Sequence, residues 1–177
     1  MTLEEVARVG EVSKGGLLYH FASKEALVRG MLEVALGAFE KELTRLRGSD
    51  RSPGSWLRAY IAASFPADRS ITHDQSLIGS AVLASVGSGA ELAEPYRAHL
   101  RDWARHASDD GLPPATAQAI RLAIDSLWLH EALGLSPYEE QDRARLIEGW
   151  VEMTRKAPAA TAQPADARRS RSAASGT

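Results

Sequence analysis

The stretch Val12–Leu27 reads VSKGGLLYHFASKEAL and decides the fold. It packs a helix start, a short helix, a break and a second helix start into very little chain. Ser13 is a good N-cap, because its hydroxyl can accept a bond from a free backbone N–H one turn on. Leu17, Leu18 and Phe21 give the short helix an apolar side, flanked by Tyr19 and His20. Ser23 caps again, with Glu25 in the first turn, where the helix dipole favours negative charge. Helices this short are unstable alone and must pack on something. Lys14, Tyr19, His20 and Lys24 then form a tip suited to phosphates.

Working outward, Thr2 caps a preceding helix with Glu4 and Glu5 in its first turn, a capping box, and Leu3, Val6, Ala7 and Val9 form its apolar stripe. Gly10-Glu11-Val12 is the turn, so the spacing is that of a helix-turn-helix. Downstream, Leu27, Met31, Leu32, Ala35, Leu36, Phe39, Leu43 and Leu46 predict one helix over Lys24–Arg47. At 1.5 Å per residue it spans roughly 35 Å and can join two domains rigidly. The run Gly48–Gly54 is the clearest loop. Further helices are predicted over Ser55–Phe65, Ser76–Val86, Ala90–Ser108, Ala115–Leu133 and Pro137–Lys156, and Ala157–Thr177 reads as a disordered tail.

Composition bounds the function. The 177 residues suit one or two small domains. The net charge of −2 excludes a bulk nucleic-acid binder, so any DNA contact comes from a local patch. There are 0 cysteines, which excludes thiol catalysis and disulfides and agrees with a cytoplasmic home. No apolar run reaches transmembrane length, so no membrane partner is expected. Beta-branched alternation is scarce and Ala, Leu, Arg and Glu dominate: the fold class is all-α. No GxSxG, HExxH or phosphate-loop motif is present, and no enzymatic activity or cofactor is expected.

From Thr2 to Leu27 the chain resembles the DNA-binding module of the TetR family of bacterial repressors. Thr2, Val6-Ala7, Val12-Ser13-Lys14-Gly15, Leu18-Tyr19-His20-Phe21 and Ser23-Lys24-Glu25-Ala26-Leu27 carry the resemblance. It implies a recognition helix in the major groove, with Lys14, Gly16 and Leu17 facing the groove and Tyr19, His20, Lys24 and Thr2 gripping phosphate. Ser13, Lys14 and Gly15 open the short helix, whose N-terminal N–H groups and Lys14 can meet phosphates, while the glycines let the backbone approach closely. The side-chain-free Gly15-Gly16 leaves few groups for base edges, which points to shape readout or to the missing front segment. The family places Gly where Glu11 stands, and it has a complete helix ahead of the one opening at Thr2. The expectation is a native start upstream of Met1, or else an incomplete module.

Three further expectations follow. Ala115–Leu133 is apolar nearly all round, and Pro137–Lys156 adds more apolar positions. They read as a dimerisation pair involving Ile124, Leu127, Trp128, Ile147, Trp150 and Val151, and the family uses its last two helices as a four-helix dimer bundle. A homodimer reads a pseudo-palindromic double-stranded operator with modules about 34 Å apart. By resemblance the middle helices enclose a small-molecule site, with Phe39, Trp56, Tyr60, Tyr96, His99 and Trp103 as candidates. His99, Asp102 and His106 lie at i, i+3, i+7, but splay on the helical wheel beside Arg97, Arg101 and Arg105, so no metal site is expected. Asp125 should meet Arg121 one turn back.

The expected division is residues 1–47 for the helix-turn-helix and connecting helix, 48–156 for ligand binding and dimerisation, and 157–177 for the tail. The reading is a ligand-responsive repressor. The alternative is a dimeric ligand-binding or interaction module that has lost DNA binding through absence of the first helix.

Overall fold

In the computed structural model, residues 13–66 and 90–156 are described. They form six helices: α1 Lys14–His20, α2 Lys24–Arg47, α3 Ser55–Ser64, α4 Ala90–Ser108, α5 Pro114–Ala132 and α6 Glu140–Lys156. No strand occurs among the described residues, so the fold is all-α as the composition requires. The helices expected at Thr2 and over Ser76–Val86, and the tail, lie outside the described residues. No described helix is long and apolar enough to cross a membrane.

The hub is α3. It packs against α2, α4, α5 and α6. Its ten residues are buried apart from Arg58 and Ala62. Trp56, Leu57, Tyr60 and Ile61 fill the centre, joined by Leu32, Leu36 and Leu43 of α2, Trp103 and Ala107 of α4, and Ile120, Ile124 and Leu127 of α5. The sequence reads Ala115–Leu133 as apolar nearly all round and as half of a dimerisation pair; within the single chain α5 keeps an open side, with Leu122 56 % exposed. An all-round apolar helix need not be enclosed by its own chain; the shorter, alanine-diluted α3 is the enclosed one.

A ten-residue helix is too short to hold itself together in water, so its ends matter. Its N-terminal donors are met from across the chain. The Asp110 carboxylate accepts from Trp56 N at 2.8 Å and from Leu57 N at 2.9 Å, and the Asp110 carbonyl accepts from Gly54 N at 2.8 Å. Gly54 sits in the left-handed region at φ 78°, and a Cβ there would stand 2.6 Å from the Thr154 carbonyl oxygen of α6. Hence the α2–α3 loop, the α4–α5 loop and the end of α6 converge on one residue. Exposed Asp50 organises the outer side of that loop. Bonds from Ser52, then Arg58, pull its pKa down to about 2.

Removing the Asp110 carboxylate leaves two buried N–H groups unmet, at about 1 kcal/mol or more each. Asp110→Ala should cost about 2–4 kcal/mol, and Asp110→Asn roughly half of that. Urea unfolding followed by circular dichroism measures both. Loss of less than about 0.5 kcal/mol for the alanine variant contradicts the role given to this cap.

Candidate functional site

Three surfaces carry the sequence expectations. The first is the tip at α1. Ser13 Oγ accepts from Gly16 N at 3.0 Å, and Ser23 Oγ accepts from Ala26 N at 3.1 Å, so both serines cap. Beside the second cap, Glu25 titrates low because backbone and Ser23 hydrogen bonds favour its charged form. Phe21 is half-buried, and its ring lies 2.9 Å from where a Cβ on Gly30 would be. That close fit seats the α1–α2 corner on the first turns of α2. Tyr19 is 86 % exposed and edge-on to exposed His20 at 5.3 Å. Ser13, Gly15 and Lys24 are exposed, and Gly16 is half-exposed. Lys14 and Leu17 fall within α1. Thr2 lies outside the described residues.

The second is an aromatic cluster between α2, α3 and α4. All six candidate positions fall in it. Trp56 and Tyr60 stack at 4.9 Å between centroids, Phe39 meets Tyr60 at 5.4 Å and Trp103 at 5.1 Å, and Trp103 also meets Tyr96 at 6.3 Å and His99 at 5.7 Å. The rings pack on one another, with Phe39, Tyr96 and His99 half-exposed at the rim. Two carboxylates stand among them. Asp125 accepts from Tyr60 Oη at 2.7 Å and pairs with Arg121, the expected i, i+4 partner. Burial first, and Asp125 second, raise the Tyr60 phenol well above its ordinary pKa and Tyr96 to about 12. Both are therefore hydrogen-bond donors rather than bases at neutral pH. Burial also raises Asp125, against the opposing pull of Tyr60 and Arg121.

Glu40 is the residue that sequence reading missed here. It lies on α2, and its Oε1 accepts from Trp103 Nε1 and sits 3.3 Å from His99 Nδ1, both on α4. A carboxylate one position after Phe39 looks like an ordinary solvated charge. Only the packing of α2 on α4 reveals its partners. The three groups of the i, i+3, i+7 set point different ways: His99 to Glu40, Asp102 to Arg105 at 2.9 Å, and His106 onto Trp56 at 5.7 Å.

The third surface is the outer side of α5 and α6. Ile124 and Leu127 face inward and are buried in the chain's own core, while Trp128, Ile147, Trp150 and Val151 are half-buried against it. On α5, α6 and their connection the exposed large apolar side chains are Leu122, Leu133, Leu135, Tyr138 and Met153, with Leu129 and Leu146 half-exposed. Phe65 and Arg143 close the inner edge, the guanidinium lying 5.2 Å over the ring while it pairs with Glu131.

The sequence profile of the tetracyclin repressor-like C-terminal domain matches residues 54–155, which covers α3 through α6. The chain belongs to this family of transcriptional regulators. Among solved structures, it is similar to a candidate transcriptional regulator from Pseudomonas aeruginosa PAO1. The TM-score is 0.58 and the identity 19 %, over 89 % of this chain and 84 % of that one. No curated protein matches significantly. The tetracyclin repressor-like domain thus spans the aromatic cluster's α3 and α4 members and the whole of the third surface.

Breaking the Glu40 tie strands the Trp103 N–H in a part-buried position. Glu40→Ala should destabilise the chain by about 1–3 kcal/mol. Glu40→Gln, which keeps an acceptor, should cost less than half as much. Thermal unfolding of both variants checks the order.

Proposed function

We propose that this transcription regulator is a ligand-responsive repressor that binds a pseudo-palindromic DNA operator as a homodimer in the cytoplasm. One observation supports it most: α2 is a single unbroken helix whose first turns carry the α1 tip and whose later turns are locked into the core. Leu27 and Val28 are buried at one end, Leu32, Leu36 and Leu43 further along. A rigid rod of that kind transmits a change at the aromatic cluster to the position of α1. The working division is residues 1–47 for DNA contact, 48–156 for ligand binding and dimerisation, and 157–177 as a tail.

In this reading α1 enters the major groove. Gly15 and Gly16 allow close backbone approach, Ser13, Lys14, Tyr19, His20, Lys24 and Thr2 position the module on phosphates, and Leu17 meets bases. A small molecule binds at the half-exposed rim formed by Phe39, Tyr96 and His99, over Trp56, Tyr60 and Trp103. It acts only through a difference in affinity between two states of α2. The natural fulcrum is Glu40, which ties the rod to α4. Dimerisation uses the outer side of α5 and α6, with Leu122, Leu129, Leu133, Leu146, Trp150 and Met153 as the apolar contact. Trp128, Ile147 and Val151 support it from behind, and Ile124 and Leu127 hold α5 in place from within. No cofactor and no catalytic group enter this mechanism.

The test is fluorescence anisotropy of the full-length protein on duplexes from the region upstream of its own gene. Lys14→Ala and Lys24→Ala should each weaken binding about tenfold, uniformly across sequences, and each should lower the salt slope by about one. Unchanged affinity in both variants overturns the DNA-binding role of the tip. For the switch, a bound small molecule that leaves operator affinity unaltered overturns the ligand response.

A further inference from the structure

The half-exposed side of the aromatic cluster has a definite shape. On α4, Tyr96, His99 and Trp103 stand at steps of three and four and share one side of the helix. On α2, Phe39 and Glu40 meet that side. Trp103 is buried and central. The rings of Phe39, His99 and Tyr96 lie 5.1, 5.7 and 6.3 Å from it and are inclined to it by 58°, 48° and 80°. The buried indole is thus a floor, and three half-exposed rings stand around it as walls.

The charge of this rim is equally definite. Glu40 Oε1 takes both the Trp103 N–H and the His99 contact. Its other oxygen, Oε2, makes no hydrogen bond among the described residues, and the side chain is 37 % exposed. Among the described residues Glu40 pairs with no lysine or arginine, and His99 carries charge only when protonated. Asp125 differs, because Arg121 offsets its charge. The donors of the cluster are spent inward: Trp103 Nε1 on Glu40, Tyr60 Oη on Asp125, and the Arg121 guanidinium on Asp125 and Gln118.

Three ligand classes can be weighed against that inventory. An anion would face Glu40 with the Arg121 guanidinium already committed and buried. An uncharged apolar molecule would strip water from Glu40 and return nothing. A cation gains twice, from the negative faces of the rings and from the open carboxylate oxygen. We infer that this rim is a receptor for a monovalent organic ammonium ion with an apolar body, its head held by Phe39 and Tyr96 over Trp103 and against Glu40 Oε2. This rests on the ligand-responsive reading above and adds the charge and chemical class of the ligand. It also gives the ligand a grip on the rod, since the carboxylate it meets is the one that ties α2 to α4.

Calorimetric titration of the full-length protein with three probes of one shape tests this. The probes are para-(hydroxymethyl)phenyltrimethylammonium, its uncharged isostere para-tert-butylbenzyl alcohol, and para-tert-butylbenzoate. The cation should bind roughly tenfold more tightly than the alcohol, and the benzoate more weakly than either. Glu40→Gln keeps an acceptor for the indole N–H and removes the charge. It should weaken the cation about tenfold and leave the alcohol within about twofold. Tyr96→Leu should weaken the cation roughly fivefold. A Glu40→Gln variant that moves cation and alcohol together shows a structural role alone and overturns the inference. An alcohol or a benzoate that binds as tightly as the cation overturns the ligand class and leaves a ligand site at this rim standing. No binding by any of the three at millimolar concentration overturns the rim as a ligand site, and with it the ligand response placed there.

Discussion

Everything in the core depends on a carboxylate holding the start of a helix that its own sequence leaves bare. Asp110 reaches across fifty-odd positions to the first N–H groups of α3, and its backbone carbonyl takes the Gly54 donor as well. A buried helix end without such partners would be untenable, because each orphaned donor loses its water and gains nothing. With them, a short helix can sit where four others touch it. The same junction admits no side chain at Gly54, since the Thr154 carbonyl occupies that space. One interaction therefore sets the mutual placement of α3, the α4–α5 loop and the end of α6.

From that hub the long helix leads outward. Among the described residues its later turns are held by apolar contacts and by the polar tie of Glu40 to Trp103 and His99. Its first turns receive the α1 corner through Phe21 against Gly30. Apolar contacts tolerate sliding by fractions of an ångström, whereas a hydrogen bond to an indole N–H is directional and does not. The tilt of the rod is thus set at Glu40, among the rings that the ligand reading places around it.

Much of this was legible in the residues. Both serine caps, the unbroken run of α2, the bounds of α4 and the Arg121–Asp125 pair follow from local chemistry, where the partner is within one turn. Some helix ends moved by one to three residues: α5 begins at Pro114 rather than Ala115, and α6 begins at Glu140 rather than Pro137. Proline is at home in a first turn, and residues 135–139, which carry no regular structure, delay the next helix. What was not legible depends on distant parts of the chain. Asp110 and Glu40 look like ordinary surface acids until the helices pack. Gln118, which bonds to the Ala104 carbonyl and Ser108, reads as a neutral helix former. The inward turn of Ile124 and Leu127, with Leu122 left outside, is hidden in a helix whose apolar residues run all the way round. Periodicity has no preferred side there, and only the neighbours choose one. Of the candidate site, helical spacing marks the aromatic members as core, and only the family resemblance groups them as a ligand site; the carboxylates that give the cluster its polarity were not readable.

The cap on α3 also bears on how the chain reaches this state. Ten residues cannot nucleate a lasting helix in an open coil, and the donors at its start gain their acceptor only after a loop of more than fifty residues has closed. Contacts so remote in sequence are slow to form compared with local helix turns. The long helix can flicker into being early on its own propensity; the centre of the molecule consolidates late, when the two loops meet. Assembly of this bundle therefore proceeds from its periphery inward, the reverse of the order in which its parts depend on one another once folded.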